Sequence, residues 1–190
     1  RAGSTGGLNG GKYCTMEGGH RVPGLFRWPG KIPPGQVSEV TLTSMDVLPL
    51  FCGLAGVELP GDRNIDGKNI LSVLQGKEPE TPHKRLFYYN GTNLQAVREG
   101  HWKLHLPRTV KDQPFWSKKP SPRKGFITLD QPALFNLKKD LGEKRNVAAQ
   151  YPEIVAQLQK RAETIRAELG DVRIQGSDQR AINLIDPQER

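Results

Sequence analysis

Lys12 closes a glycine-rich stretch, Gly6-Gly-Leu-Asn-Gly-Gly-Lys12. Such a stretch points first to the chemistry of a phosphate-binding loop. The spacing matches the first part of a phosphate-binding loop, but the following residue is Tyr13 where Ser or Thr should hold magnesium. No apolar strand precedes it, and Gly18-Gly19 follows in place of a helix, so nucleotide binding is set aside. His101 and His105 are four apart, which on a helix would present two metal ligands. Here they alternate with Trp102, Leu104 and Leu106, the period of a strand with one apolar and one polar face. Lys103 stands between the two histidines, which argues against a cation site. Two readings stay open: a solvated strand face, or a cationic wall for an anion, with same-face neighbours about 6.6 Å apart. Glu17 and Arg21, also four apart, read as an ion pair that fixes the loop. Asp62-Arg-Asn64-Ile-Asp66-Gly67 begins like a calcium loop but has Val73 at its twelfth position, and reads as a plain turn. Cys14 and Cys52 are too few for a disulfide framework and read as two unpaired apolar thiols.

These groups need elements to position them. Of 190 residues, 35% are hydrophobic, with 21 glycines and 15 prolines, so a core is affordable but much of the chain is loop. No apolar run is long enough to span a membrane. The net charge of +8 favours anionic partners. Short strands are predicted at 22–28 and 37–42, with a turn through Pro33-Pro34 between them. Asp46 can N-cap a helix carrying Pro49 in its first turn and Gly56 at its stop. Apolar residues lie all round that helix, which predicts burial on most sides. Arg85–Tyr89, Leu94–Arg98, Trp102–Leu106 and Leu134–Leu137 read as strands, the first three as an antiparallel meander. Residues 98–124 hold eight Lys and Arg against only Glu99 and Asp112, so most of the excess charge is local. Within it, Phe115 and Trp116 among cations suit stacking on a sugar and pairing with its sulfates. The same composition suits single-stranded nucleic acid, and a solvated loop is the simplest reading. A second helix starts at Pro152, buries a stripe from Tyr151 through Ile154, Leu158, Ala162 and Ile165 to Leu169, and ends at Gly170.

The stretch Lys12-Tyr-Cys-Thr-Met-Glu17-Gly18-Gly19-His-Arg21-Val-Pro23 resembles the type I sulfatase segment (arylsulfatase and N-acetylgalactosamine-6-sulfatase-like) in which a lysine is followed five residues later by Glu-Gly-Gly-x-Arg-x-Pro. Arg27-Trp-Pro-Gly-Lys31, Ser44-Met-Asp46-Val-Leu-Pro49, Asp66-Gly67-Lys-Asn-Ile-Leu71, Ala96-Val-Arg98-Glu-Gly-His-Trp102-Lys103-Leu104 and Leu134-Phe-Asn-Leu137 through Asn146 resemble later family segments in the same order. Leu141 departs from the proline usual in that last turn.

The resemblance implies an α/β, alkaline-phosphatase-like sulfatase fold. Residues 1–78 would form the C-terminal end of the large α/β domain. Residues 79–170 would form a small subdomain with an antiparallel sheet and a packed helix, and residues 171–190 a tail. It implies hydrolysis of sulfate esters, on sulfated carbohydrates, with Lys12 binding the sulfate. His105, Lys103 and His101 would contact other parts of a sulfated glycan or small molecule, with Glu17 and Arg21 as structural support. The family's formylglycine nucleophile and its calcium, Ca2+, would belong to a missing N-terminal segment. Neither cysteine here sits in the required motif, and no metal ligand is expected in this chain. The isolated chain is accordingly expected to be inactive. A periplasmic or secreted location is implied, and nucleic acid is not an expected partner. The alternative is a non-catalytic binder of sulfated polyanions.

Overall fold

The structure is a computed structural model that describes residues 3–112, 126 and 128–179. Contacts divide the chain into two units, one of Arg1–Arg21 with Arg85–Arg190 and one of Val22–Lys84. The first residues of the chain thus belong with its second half.

The larger unit is built on four antiparallel strands in sequential order: β1 (Arg85–Asn90), β2 (Asn93–Glu99), β3 (Trp102–His105) and β4 (Ala133–Asn136). The expected meander is present. Two-residue loops join β1 to β2 and β2 to β3, and each starts on a glycine with positive φ, Gly91 at 62° and Gly100 at 60°. Glycine reaches that region without a Cβ clash, so each turn closes within two residues. Opposite Tyr88 and Tyr89, β2 carries one extra residue, Gln95. The bulge lets Leu94 and Val97, three residues apart, face the same side of the sheet.

One sheet face meets helix α4 (Pro152–Leu169). Leu94, Val97, Leu104, Leu106 and Leu134 pack there against Leu158, Ala162 and Ile165. Pro152 occupies the first turn, where its missing N–H costs least, and Gly170 follows the last residue. The chain after α4 turns back on it. The Ser177 and Asp178 amides donate to the carbonyls of Ala167 and Glu168, at 2.9 Å each. Asp171 accepts from the Leu94 amide at 3.1 Å and from Arg166 Nε at 2.7 Å. Residues 171–179 therefore wrap rather than trail. No helix among the described residues is long and apolar enough to cross a membrane.

The smaller unit contains α2 (Val47–Ala55) and α3 (Leu71–Leu74). Gly56 ends α2 at φ 67°, as expected. Other expectations for this unit are corrected. No strand forms at 22–28 or 37–42. Helix α2 buries only Pro49 and Leu50, while Leu48 and Phe51 are 49% and 62% exposed. Periodicity shows where apolar residues fall on a helix, not what covers them. Asp46 makes no side-chain cap to α2. Its buried carboxylate accepts from the Thr43 and Lys68 amides, each at 2.8 Å, and meets His83 Nε2 at 2.8 Å. The 62–67 stretch, expected to be a turn, bends at 61–63 and is irregular beyond.

Leu158, on the buried stripe of α4, tests the docking of that helix on the sheet. Leu158→Ala should lower the unfolding free energy by about 2–5 kcal/mol, measured by urea denaturation. A loss under about 1 kcal/mol, the scale of an exposed substitution, would mean that α4 is not docked as described.

Candidate functional site

The sheet face opposite α4 is not solvated. It is covered by residues 13–21, and beneath them lies a cluster of buried charges. Lys103 has 0% exposure. Its ammonium donates to the Thr15 carbonyl at 2.7 Å and to Glu17 Oε1 at 2.8 Å, and lies 3.1 Å from Glu143 Oε1. The three N–H bonds of an ammonium have three acceptors there. The same nitrogen sits 4.2 Å from the centre of the Tyr88 ring. His105, also fully buried, meets Glu143 Oε1 through Nε2 at 2.7 Å. Its Nδ1 has no hydrogen-bond partner among the described residues. A neutral imidazole protonated on Nε2 and donating to Glu143 fits this pattern. Phe126 and Phe135 pack edge-on to the ring.

Burial by itself would raise the carboxyls of Glu17 and Glu143, yet both are held below the usual carboxylate range. For Glu17 the cause is the charge and hydrogen bond of Lys103, with Arg21 adding a further bond. For Glu143 it is the bond to His105 and the charge of Lys103. Burial is also the main reason that His105 falls to about 4, against the opposing pull of Glu143. With His105 neutral, Glu17 and Glu143 are balanced by Lys103 and Arg21. Arg21 Nε bonds Glu17 Oε2 at 2.8 Å, and the Arg21 side chain remains 37% exposed. The expected Glu17–Arg21 pair is therefore present, and it is one edge of a larger network.

Local sequence explains how the covering segment fits. Glu17–His20 forms a single helical turn, α1. A Cβ on Gly18 would stand 2.5 Å from the Asn9 carbonyl oxygen, and one on Gly19 would stand 2.2 Å from that of Cys14. Only glycine fits at either place. The Gly18 amide accordingly donates to the Asn9 carbonyl at 2.8 Å. Cys14 is buried, and its sulfur accepts the Gly11 amide at 3.3 Å. Lys12 itself is exposed, with its ammonium 4.9 Å from the centre of the Tyr13 ring. Tyr13 has φ 74°, a strained value for a residue with a side chain. Asn90 Nδ2 donates to the Tyr13 carbonyl at 3.3 Å, which ties the loop to the end of β1.

The structure thus brings Lys103, His105, Glu17 and Arg21 together, and it corrects the role expected of two of them. Lys103 and His105 neither form a solvated face nor line an open pocket, because residues 13–21 cover them and carboxylates hold their donors. His101 is exposed in the β2–β3 turn. The Tyr13 anchor is at the opposite end of β2, about 20 Å away for a strand of this length. His101 and Lys12 therefore do not converge. Glu143, which joins Lys103, His105 and the Glu17 amide, stood in the sequence only as part of the family's closing turn, with no role expected of it. A Glu three residues after Asp140 in a turn gives no signal that it faces β3. Arg108 was counted with the solvated basic insertion, but it is buried. Its guanidinium donates to the carbonyls of Gln95, Leu106 and Phe126 at 2.9–3.1 Å, and burial lowers it to about 10. Phe115 and Trp116 lie outside the described residues.

Among the described residues no three His, Cys, Asp or Glu side chains are gathered closely enough to hold a metal ion. The described residues do not fit a calcium centre.

Residues 81–186 match the model of the C-terminal region of aryl-sulfatase. The rat steryl-sulfatase (Rattus norvegicus) is 48% identical over 108 residues, 57% of this chain and 18% of that protein. An N-acetylgalactosamine-6-O-sulfatase of Bacteroides thetaiotaomicron is 31% identical over 158 residues, 83% of this chain and 29% of that protein. A solved sulfatase from Pseudoalteromonas sp. superposes on 84% of this chain and 32% of its own with a TM-score of 0.68 at 26% identity. The chain belongs to the aryl-sulfatase family and matches its C-terminal region. The expected mixed α/β fold, with its antiparallel sheet and packed helix, is present, and it superposes on that solved sulfatase. The chain spans less than a third of the length of each relative.

Two outcomes follow from the cluster. Lys103→Met should cost about 3–5 kcal/mol in urea unfolding, because it leaves Glu17 and Glu143 without their shared cation. A loss near zero would mean that the two carboxylates are not both charged. His105 has a folded value of about 4 against an ordinary 6.5, so the unfolded chain binds more protons between them. Stability should accordingly fall as pH drops from 6.5 towards 4, with the two carboxylates adding to the loss below about 4.5. His105→Gln should flatten the upper part of that decline, and an unchanged pH dependence would contradict the buried neutral imidazole.

Proposed function

We propose that this chain is part of a sulfuric-ester hydrolase that cleaves sulfate esters of carbohydrates, and that Lys12 holds the sulfate. The observation that carries the reading is the Lys12 loop. It offers an exposed ammonium on backbone that is fixed from beneath by the buried cluster and from the side by Asn90. Sulfate transfer redistributes negative charge over the non-bridging oxygens, and a cation positioned beforehand stabilises that charge without reorganising. Lys103 and His105 act beneath the loop rather than on the sugar. A carbohydrate substrate is supported by the relative named for N-acetylgalactosamine-6-O-sulfate chemistry. The family's formylglycine and Ca2+ would be supplied by polypeptide beyond these residues, and the location would be periplasmic or secreted. The net charge of +8 also supports a second reading, retention of sulfated polyanions without turnover.

The test uses the natural polypeptide that contains these residues and a small aryl sulfate ester as substrate. Lys12→Ala should lower kcat by about 100- to 1000-fold with the unfolding temperature unchanged. Full activity in that variant would remove Lys12 from the site. A polypeptide that never turns over the ester, yet binds immobilised heparin equally with and without Lys12, would favour the second reading.

A further inference from the structure

Glu143 has three features that a merely structural turn residue does not require. Its backbone is in the left-handed region at φ 49°, where a residue with a side chain is strained. The preceding residue, Gly142, would take that conformation at lower cost. Glu143 is buried, and both carboxylate oxygens are used. Oε1 faces two donors of β3, the Lys103 ammonium at 3.1 Å and the neutral His105 Nε2 at 2.7 Å. Oε2 accepts the Glu17 amide at 2.6 Å. Its carbonyl accepts Asn9 Nδ2 at 3.3 Å. One residue therefore grips the loop that bears Lys12 at both ends, at Asn9 and at Glu17, while its other oxygen is fixed to the sheet.

We propose that Glu143 is a positioning residue for Lys12: it clamps residues 9–17 onto β3 and so sets where the Lys12 ammonium stands. The proposal rests on the reading of Lys12 as the sulfate contact. The carboxylate has to be charged and of full length, because one oxygen faces Lys103 and His105 while the other reaches the Glu17 amide. Strain at φ 49° persists because these contacts over-determine it. Tyr13, the strained neighbour of Lys12, is held within the same gripped segment.

The experiment compares Glu143→Gln, Lys12→Ala and the double variant in the polypeptide that contains this chain. It reads hydrogen exchange at single amides and kcat with a small aryl sulfate ester. In Glu143→Gln the amides of Glu17 and Gly18 should exchange roughly tenfold faster or more, while those of β2 and β3 keep their protection. The same change should lower kcat by about 100-fold through a misplaced cation. Once Lys12 is Ala, it should lower kcat little further, because a residue acting through Lys12 has nothing left to position. Equal kcat losses in both backgrounds, uniform loss of protection, or unchanged exchange at Glu17 and Gly18 would each overturn the clamp. If Lys12→Ala is fully active but exchange loosens only at residues 9–18, the sulfate-contact reading fails while the mechanical clamp stands. If Glu143→Gln does not fold, Glu143→Asp replaces it. That side chain keeps the charge but is too short to span both partners, and it should loosen the same two amides.

Discussion

The ammonium of Lys103 is the interaction on which the larger unit depends. It has no exposure and lies between two carboxylates and a carbonyl. A lone charge in such a place is costly, and an incomplete set of partners is worse than none. The three acceptors come from parts of the chain far apart in sequence: Thr15 and Glu17 near its start, and Glu143 after the sheet. Completing that set brings residues 13–21 onto the sheet. The polar face then closes as fully as the apolar face closes under α4.

A polar interior of this kind defines one arrangement more sharply than an apolar one. Apolar contacts tolerate sliding, whereas two short hydrogen bonds and a close ion pair at one nitrogen fix direction and distance together. The two glycines after Glu17 serve the same end. They let α1 approach the carbonyls of Asn9 and Cys14 more closely than any side chain permits. The result is a loop without long regular structure that is nonetheless held at several points, with Lys12 left exposed on it. Irregular backbone anchored on a rigid scaffold is the usual place for groups that contact ligands.

The two faces of β3 show how far a period-2 pattern can be read. The alternation of Trp102, Leu104 and Leu106 with His101, Lys103 and His105 gives the strand and its two faces correctly. It does not say that the polar face is covered. Long-range partners decide that, and Glu17 and Glu143 are 86 and 38 residues from their bonds to Lys103 and His105. The reverse happens in the smaller unit. There α2 has an apolar stripe on several sides, but the described residues cover little of it. Asp46, placed like a cap, is drawn instead to the Lys68 amide and His83.

What the sequence determined by itself was whatever depends on near neighbours. The four strands, the span of α4 from Pro152 to Gly170 and the stop of α2 at Gly56 all follow from local sterics and short periods. The family segment around Lys12 and Glu17-Gly18-Gly19 was legible as an ordered set of short motifs. The tertiary structure alone decided which charges are spent. Lys103, His105 and Arg108 have the same side chains as solvated residues, and only their contacts show that they hold the fold. Glu143 was legible only as part of the family's closing turn, because its role is set by the atoms it meets across the chain. Burial of a charge depends on the whole set of partners around it, and that set exists only once the chain has closed.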